Sequence, residues 1–360
     1  MSTSSADPFV RLGSLSITDP HDLGQVVRQQ RLRFIAEARQ PLFLISQIQR
    51  SGGTLVSQLL DGHSELHVHP NELHVGRPNK YHWPALDLSL DPAALFDSVF
   101  ERPLLEYAQL GFQKVSSAEA NFDPDVRDRV LPFIFDLQLQ KRIFCAHLRQ
   151  SAVLSQRAIL DSYITSYFNA WLDYQGLYRP PAQIRYWVSF AARLLAMPGN
   201  IERFLADYPD GKAMIVLRDP VSWFASARRH SNEYEEVSAA MSLWTGTHSV
   251  LLDGIRRHPR QFLVVRFEDL VSDPRRVMER VVSFLGIRFE ECLLRPTFNG
   301  MPIPSDSSFG SKIGIDRTTL DRTYDVDAAA AKAIRQATDP VYAALSGCAR
   351  ECERLYRTGS

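Results

Sequence analysis

The chain has 360 residues, 45% of them hydrophobic, and its 41 Lys and Arg balance 41 Asp and Glu, giving zero formal charge and a pI of about 7.2. That length allows one large domain or two modest ones, and the apolar share can fill a core. The balance of charge excludes a protein that coats nucleic acid along its surface but leaves room for a local basic pocket.

The N-terminal stretch MSTSSADPFVRLG is polar and has no apolar core of leader-peptide length, and residues 1–25 read as a loose arm before a single domain over 26–360. No run reaches the roughly 18 apolar residues that span a bilayer. Cys145, Cys292, Cys348 and Cys352 are few for the length and lack metal-ligand spacing, which points to a reducing, cytoplasmic compartment.

LFLISQI (42–48) is a short apolar run that ends at the glycines of Arg50-Ser51-Gly52-Gly53-Thr54. Helical spacing follows in Leu55, Val56, Leu59 and Leu60, with Asp61-Gly62 as a stop. Strand, glycine turn and helix open an α/β fold, and the turn exposes backbone N–H groups beside the positive end of the helix dipole. ELHVHP (65–70) reads as a second strand. His67 and His69 share one of its faces and His74 lies beyond Pro70, but three converging ligands need a second shell, so no metal site is assigned.

A long, mainly helical insertion is expected over about 75–210, from the periodicity of DPAALFDSVFERPLLEYAQLG, DPDVRDRVLPFIFDLQLQ and ILDSYITSYFNAWLDYQGL. In the last of these Tyr163, Tyr167, Phe168, Trp171 and Tyr174 form a stripe that reads first as core and second as an acceptor lining. RIFCAHL (142–148) reads as a strand inside this insertion. Two clearer strands follow it, KAMIVLRDP (212–220) and QFLVVRFEDL (261–270). Asp219-Pro220 and Asp273-Pro274 each start a helix as N-cap and first-turn proline. Short apolar strands alternating with amphipathic helices give the fold expectation: a P-loop-type parallel sheet flanked by helices.

Arg218 leaves its strand at the edge where open parallel sheets bind ligands, and Ser226 follows Ser222 by one helical turn. Arg50-Ser51-Gly52-Gly53-Thr54-Leu55, together with Arg218-Asp219-Pro220 and Ser226, resembles the sulfotransferases that use 3′-phosphoadenosine 5′-phosphosulfate (PAPS), in particular their bacterial and Golgi-type branch. The likeness covers about 42–73 and 211–325, where SDSSFG also resembles a loop of bacterial members. It implies an enzyme that moves a sulfuryl group in line from PAPS to a hydroxyl, or an amine, of a small-molecule or carbohydrate acceptor. It also implies that the loop grips the 5′-phosphosulfate while Arg218 and Ser226 hold the 3′-phosphate. Arg50 then stabilises charge on the leaving oxygen, and no metal is required. Lys312, with Arg317 and Arg322, falls where family members close a basic loop over the nucleotide.

Two departures stand out. Gly53 replaces the first of two hydroxyl residues usual in the family loop. The Trp-x-x-Lys-x-Pro segment of many bacterial relatives corresponds to IRYWVSFAARL, where Arg185 is the only cation near the expected place. Two residues stand as candidates for the base that takes the acceptor proton: Glu72, after the second strand, and His147, in CAHLRQ. A kinase or NTPase is the first rival, and the loop lacks the lysine it requires. A sulfonucleotide-binding protein without turnover is the second. The acceptor is open, as is a homodimer.

Overall fold

Five short runs that bury nearly every side chain build the central sheet. In the computed structural model, which describes residues 20–74, 81–112, 131–177, 179–180, 183–303, 314–321 and 326–356, they are β1 (Leu42–Ile45), β2 (Leu66–Glu72), β3 (Tyr186–Phe190), β4 (Lys212–Leu217) and β5 (Phe262–Arg266). Their order is β2-β3-β1-β4-β5 and every pairing is parallel. All four residues of β1 are fully buried, as expected of a parallel strand covered on both faces, which cannot alternate polar with apolar.

Twelve α-helices flank the sheet among the described residues. Before and around β2 lie α1 (Pro20–Arg33), α2 (Gly53–Leu60), α3 (Pro92–Val99) and α4 (Pro103–Leu110). The middle of the chain supplies α5 (Leu137–Arg149), α6 (Gln156–Ala170) and α7 (Asn200–Asp207). After β4 come α8 (Pro220–Ala227), α9 (Val237–Arg257), α10 (Phe267–Ser272), α11 (Pro274–Leu285) and the long α12 (Ala328–Leu355). A two-stranded ribbon, β6 (Thr297–Phe298) and β7 (Met301–Pro302), is antiparallel. The Asp219 carboxylate caps α8 by accepting from the N–H groups of Val221 (3.1 Å) and Ser222 (3.0 Å), and Asp273 caps α11. Both aspartate-proline starts therefore act as the sequence predicts.

Four expectations need correction. RIFCAHL is not a strand but the second half of α5, whose Leu139, Ile143, Phe144, His147 and Leu148 are buried at helical spacing on one face. The strand beside β1 is instead β3, in YWVSF, within the stretch compared with Trp-x-x-Lys-x-Pro. The helix expected from DPDVRDRVLPFIFDLQLQ begins only at Leu137, because Leu131 and Phe135 make isolated bridges to Phe112 and Trp171, and residues 123–130 lie outside the described ones. Finally, α1 begins at Pro20, within the arm expected to reach residue 25; residues 1–19 also lie outside. The stripe Tyr163, Tyr167, Phe168, Trp171 and Tyr174 is core: none is more than 5% exposed, and Trp171 stacks on Tyr174 at 4.9 Å. No described helix is long and apolar enough to cross a membrane.

Candidate active site

The chain leaves β1 into a turn that only unusual backbone angles can make. Arg50 adopts φ 66° and Gly52 φ 95°, both left-handed. For arginine that conformation costs about 1–2 kcal/mol, so the fold holds Arg50 there against its preference. Gly52 is obligatory on two counts, since a Cβ there would also lie 2.6 Å from Phe267 Cδ2. Gly52 is the N-cap of α2, and no side chain caps that helix. Its first N–H groups therefore face the turn without an intrahelical partner, which is the geometry of an anion cradle. Ser51 is 1% exposed, and its Oγ meets no partner among the described residues. Thr54 is half-buried, and Leu55 anchors the helix in the core.

β4 delivers the second cluster to the same crevice. Arg218, 6% exposed, donates from Nη1 to the Arg50 carbonyl at 2.8 Å and lays its guanidinium on the Phe267 ring, 4.6 Å from the centroid. Arg50 Nε reaches Ser226 Oγ at 3.4 Å, and Trp223 Nε1 donates to the Gln49 carbonyl at 2.7 Å. Glu268 accepts from the Asp219 N–H at 2.8 Å, and its burial raises its carboxyl above the usual range. The loop is thus bonded at three points to the segment from Arg218 to Ser226, with two arginines converging on one mouth. Phe267 and Trp223, which hold that geometry, were not singled out in the sequence; each sits next to or inside a recognised motif and reads there as an ordinary core ring.

On the other flank of β1 the crevice is lined differently. Leu44 and Ile45 pair with Ser189 and Phe190 of β3, and Phe190 in turn pairs with Glu72 at the end of β2. Glu72 is thus at the same C-terminal edge, two strands from β1, about 10 Å at ordinary strand spacing. Its side chain is 24% exposed and lies 3.9 Å from His74 Nε2. A Cβ added at Gly53 would fall 2.1 Å from Gln47 Nε2 and 2.4 Å from Phe190 Cε2. Gln47 and Phe190 occupy the space a threonine would use, so a side chain at residue 53 would have to displace them. Phe190 is also the third residue after Trp187, where the Trp-x-x-Lys pattern carries its lysine.

Arg185 is not the compensating cation. Its N–H donates to the Glu65 carbonyl ahead of β2 and β3, at the opposite edge of the sheet. The arginine at the C-terminal end of β3 is Arg193, 8% exposed, which bonds Glu233 (3.1 Å) and the Tyr81 hydroxyl (2.8 Å) and stacks on the Tyr81 ring. Its backbone N–H donates to the Gln47 carbonyl at 2.8 Å.

His147 also belongs to the far edge. Its Nδ1–H donates to Ser162 Oγ (2.8 Å), whose own proton goes to the Ala158 carbonyl, and Arg39 donates to Nε2 at 3.3 Å. Arg39 and Glu37 precede β1, whereas the loop follows it. Burial, with help from Arg39, pushes the imidazole pKa down. A histidine so placed and so bonded is not brought to Arg50. Lys312 and Arg322 lie outside the described residues, while Arg317 begins a short 3-10 turn. His67 bonds the Tyr174 hydroxyl (3.0 Å) and His69 bonds Glu101 (3.1 Å). Among the described residues no group of three potential ligands forms a metal site.

A parallel sheet flanked by helices, with an uncapped helix after a left-handed turn and two arginines at the sheet's C-terminal edge, defines an α/β protein. The chain belongs to the sulfotransferase family, whose family model matches residues 41–291. Its fold is similar to the sulfotransferase domain from the curacin biosynthetic pathway (20% identity, TM-score 0.44, covering 83% of this chain and 98% of that one). A second similar structure is the sulfotransferase domain of the Synechococcus PCC 7002 olefin synthase (20%, 0.45, covering 86% and 96%). A third is a sulfotransferase from Alicyclobacillus acidocaldarius (16%, 0.41, covering 88% and 99%). Comparison with curated protein sequences finds no match.

Proposed function

We propose that the protein transfers a sulfuryl group from PAPS to a hydroxyl, or an amine, of a small-molecule or carbohydrate acceptor by in-line displacement. The observation that carries this reading is the bonding of the two motifs into one mouth: Arg218 to the Arg50 carbonyl, and Arg50 to Ser226. The α2 N-terminus and Ser51 suit the 5′-phosphosulfate, and Arg218 with Ser226 suits the 3′-phosphate. Arg50 stands where negative charge grows on the leaving oxygen, so its cation lowers the barrier as well as binding. Glu72, on the acceptor flank, takes the acceptor proton. Lys312 is retained as a nucleotide contact by resemblance alone, and the cytoplasmic compartment by composition.

Adenosine 3′,5′-bisphosphate should bind far more tightly than AMP or ATP in calorimetry without magnesium. Equal affinity for AMP would remove the 3′-phosphate assignment. Gly53 and Phe190 favour a second reading, binding without turnover, because both replace residue types that relatives place at the reacting group. Incubation with labelled sulfonucleotide and a panel of sugars, phenols, lipids and peptides separates the two.

A further inference from the structure

The loop interior holds a side chain that the motifs do not account for. Gln47 is two residues past β1 and 1% exposed, and neither its Nε2 nor its Oε1 meets a partner among the described residues. Its amide nitrogen lies 2.1 Å from where a Cβ of residue 53 would be, so it fills the start of the path a side chain would take from the first turn of α2. Ser51 Oγ, equally buried and equally without a partner, is in the same turn. Phe190 closes the other side of that space at 2.4 Å.

We propose that the Gln47 carboxamide is the donor that replaces the missing loop hydroxyl, giving an N–H to the sulfuryl end of the donor nucleotide. The inference rests on the sulfonucleotide reading above and names a contact within that site. Three physical points carry it. A buried primary amide offers two N–H donors and is strongly driven to find acceptors, and an anion over an uncapped helix supplies them. The nitrogen stands 2.1 Å from the atom position that would have borne the hydroxyl, so it lies beside the place that hydroxyl would take. Its backbone is held on both sides, by the Arg193 N–H on the Gln47 carbonyl and by β1, so the donor is preorganised. The proposal assigns the Gln47 contact to the sulfuryl oxygens, which adenosine 3′,5′-bisphosphate lacks, so that ligand separates it from a contact to the 5′-phosphate.

Gln47→Met keeps the length and the packing of the side chain and removes both donors; Gln47→Ala is the second variant. Each is compared with wild type by thermal melting, by calorimetry with adenosine 3′,5′-bisphosphate, and by turnover of PAPS. The expected result is an unchanged affinity for the bisphosphate together with a fall of about 10- to 100-fold in kcat/KM for PAPS, the range for a hydrogen bond to a charged group. PAPS turnover by Gln47→Met at the wild-type rate would overturn the assignment while leaving the donor reading intact. A matching loss of bisphosphate affinity would also overturn it, since the residue would then be shaping the loop as a whole. Failure of the wild-type protein to bind the bisphosphate would overturn the donor reading, and this inference with it.

Discussion

The two flanks of β1 are built on opposite principles. On the β4 flank the groups are cross-bonded: Arg218 to the Arg50 carbonyl and the Phe267 ring, Trp223 to the Gln49 carbonyl, and one oxygen of Glu268 to the Asp219 N–H. On the β3 flank Gln47 and Ser189 are buried with polar atoms that meet no partner among the described residues, and Glu72 is partly exposed. Hydrogen bonds made before binding fix a site for one ligand shape, whereas buried polar groups left over suit a reacting centre whose charge changes. On the proposed function, the contrast puts nucleotide recognition and chemistry one strand apart, with Arg50 between them.

The largest effect should come from the less constrained flank. Glu72→Gln preserves shape and removes only the proposed base, so kcat should fall roughly 10²- to 10⁴-fold while nucleotide affinity stays at the wild-type level. An acceptor of low pKa, such as a nitrophenol, should recover much of the loss because it ionises with little help. Wild-type kcat on an alcohol acceptor would strip Glu72 of the role and place the base elsewhere on the same flank.

Arg218→Ala is the counterpart on the constrained flank. It removes a buried cation that holds the Arg50 carbonyl and is proposed to meet the 3′-phosphate, and adenosine 3′,5′-bisphosphate affinity should fall by about 2–4 kcal/mol. Calorimetry reads this directly. A fall in kcat without a change in affinity would invert the division between the flanks.

His67 adds a pH test on the β2 side. Burial, with Arg179 nearby, lowers its pKa from 6.5 to about 4. As pH falls, the unfolded chain takes up the proton first, so the contribution is fully present above pH 6.5. It is lost progressively down to about pH 4, for a total of about 3 kcal/mol. His67→Phe, which retains a ring against Phe168, should flatten the decline of stability in that window. Denaturant melts at pH 7, 5.5 and 4.5 that show the same slope for both proteins would assign the decline to other groups.

The same division governs how much of the molecule was legible in the sequence. The β4 flank was readable because its candidate residues lie in short patterns along the chain. Arg50 to Leu55, and Arg218 with Ser226, each sit at the end of a strand whose apolar run admits one interpretation. The β3 flank was opaque for the opposite reason. YWVSF is five residues long with a serine inside, so periodicity does not distinguish it, and RIFCAHL offered a more apolar decoy that is half of a helix. Gln47 carried no signal in sequence, since an amide becomes informative only once its burial and its proximity to Gly53 are known. His147 was attractive as a histidine after a supposed strand, and became a bonded residue at the far edge once that strand proved helical.

The smallest effect bears on whether the flanks meet at all. Ser226 Oγ lies 3.4 Å from Arg50 Nε, a long contact to a cation, and is 8% exposed. Ser226→Ala should weaken adenosine 3′,5′-bisphosphate binding by about 1 kcal/mol, within the range for loss of one hydrogen bond. The informative quantity is the coupling with Arg50→Ala in a double-mutant cycle. Groups in contact couple by about 0.5 kcal/mol or more, whereas distant groups add. Arg50 with Ser226 should therefore couple, and Arg50 with His147→Ala should add, because His147 is bonded at the opposite edge of the sheet. Additivity between Arg50 and Ser226 would mean that the loop and α8 act on the nucleotide independently. Arg50 would then answer only to the β3 flank, and the junction between recognition and chemistry would lie at the Arg218 contact with its carbonyl instead of at its side chain.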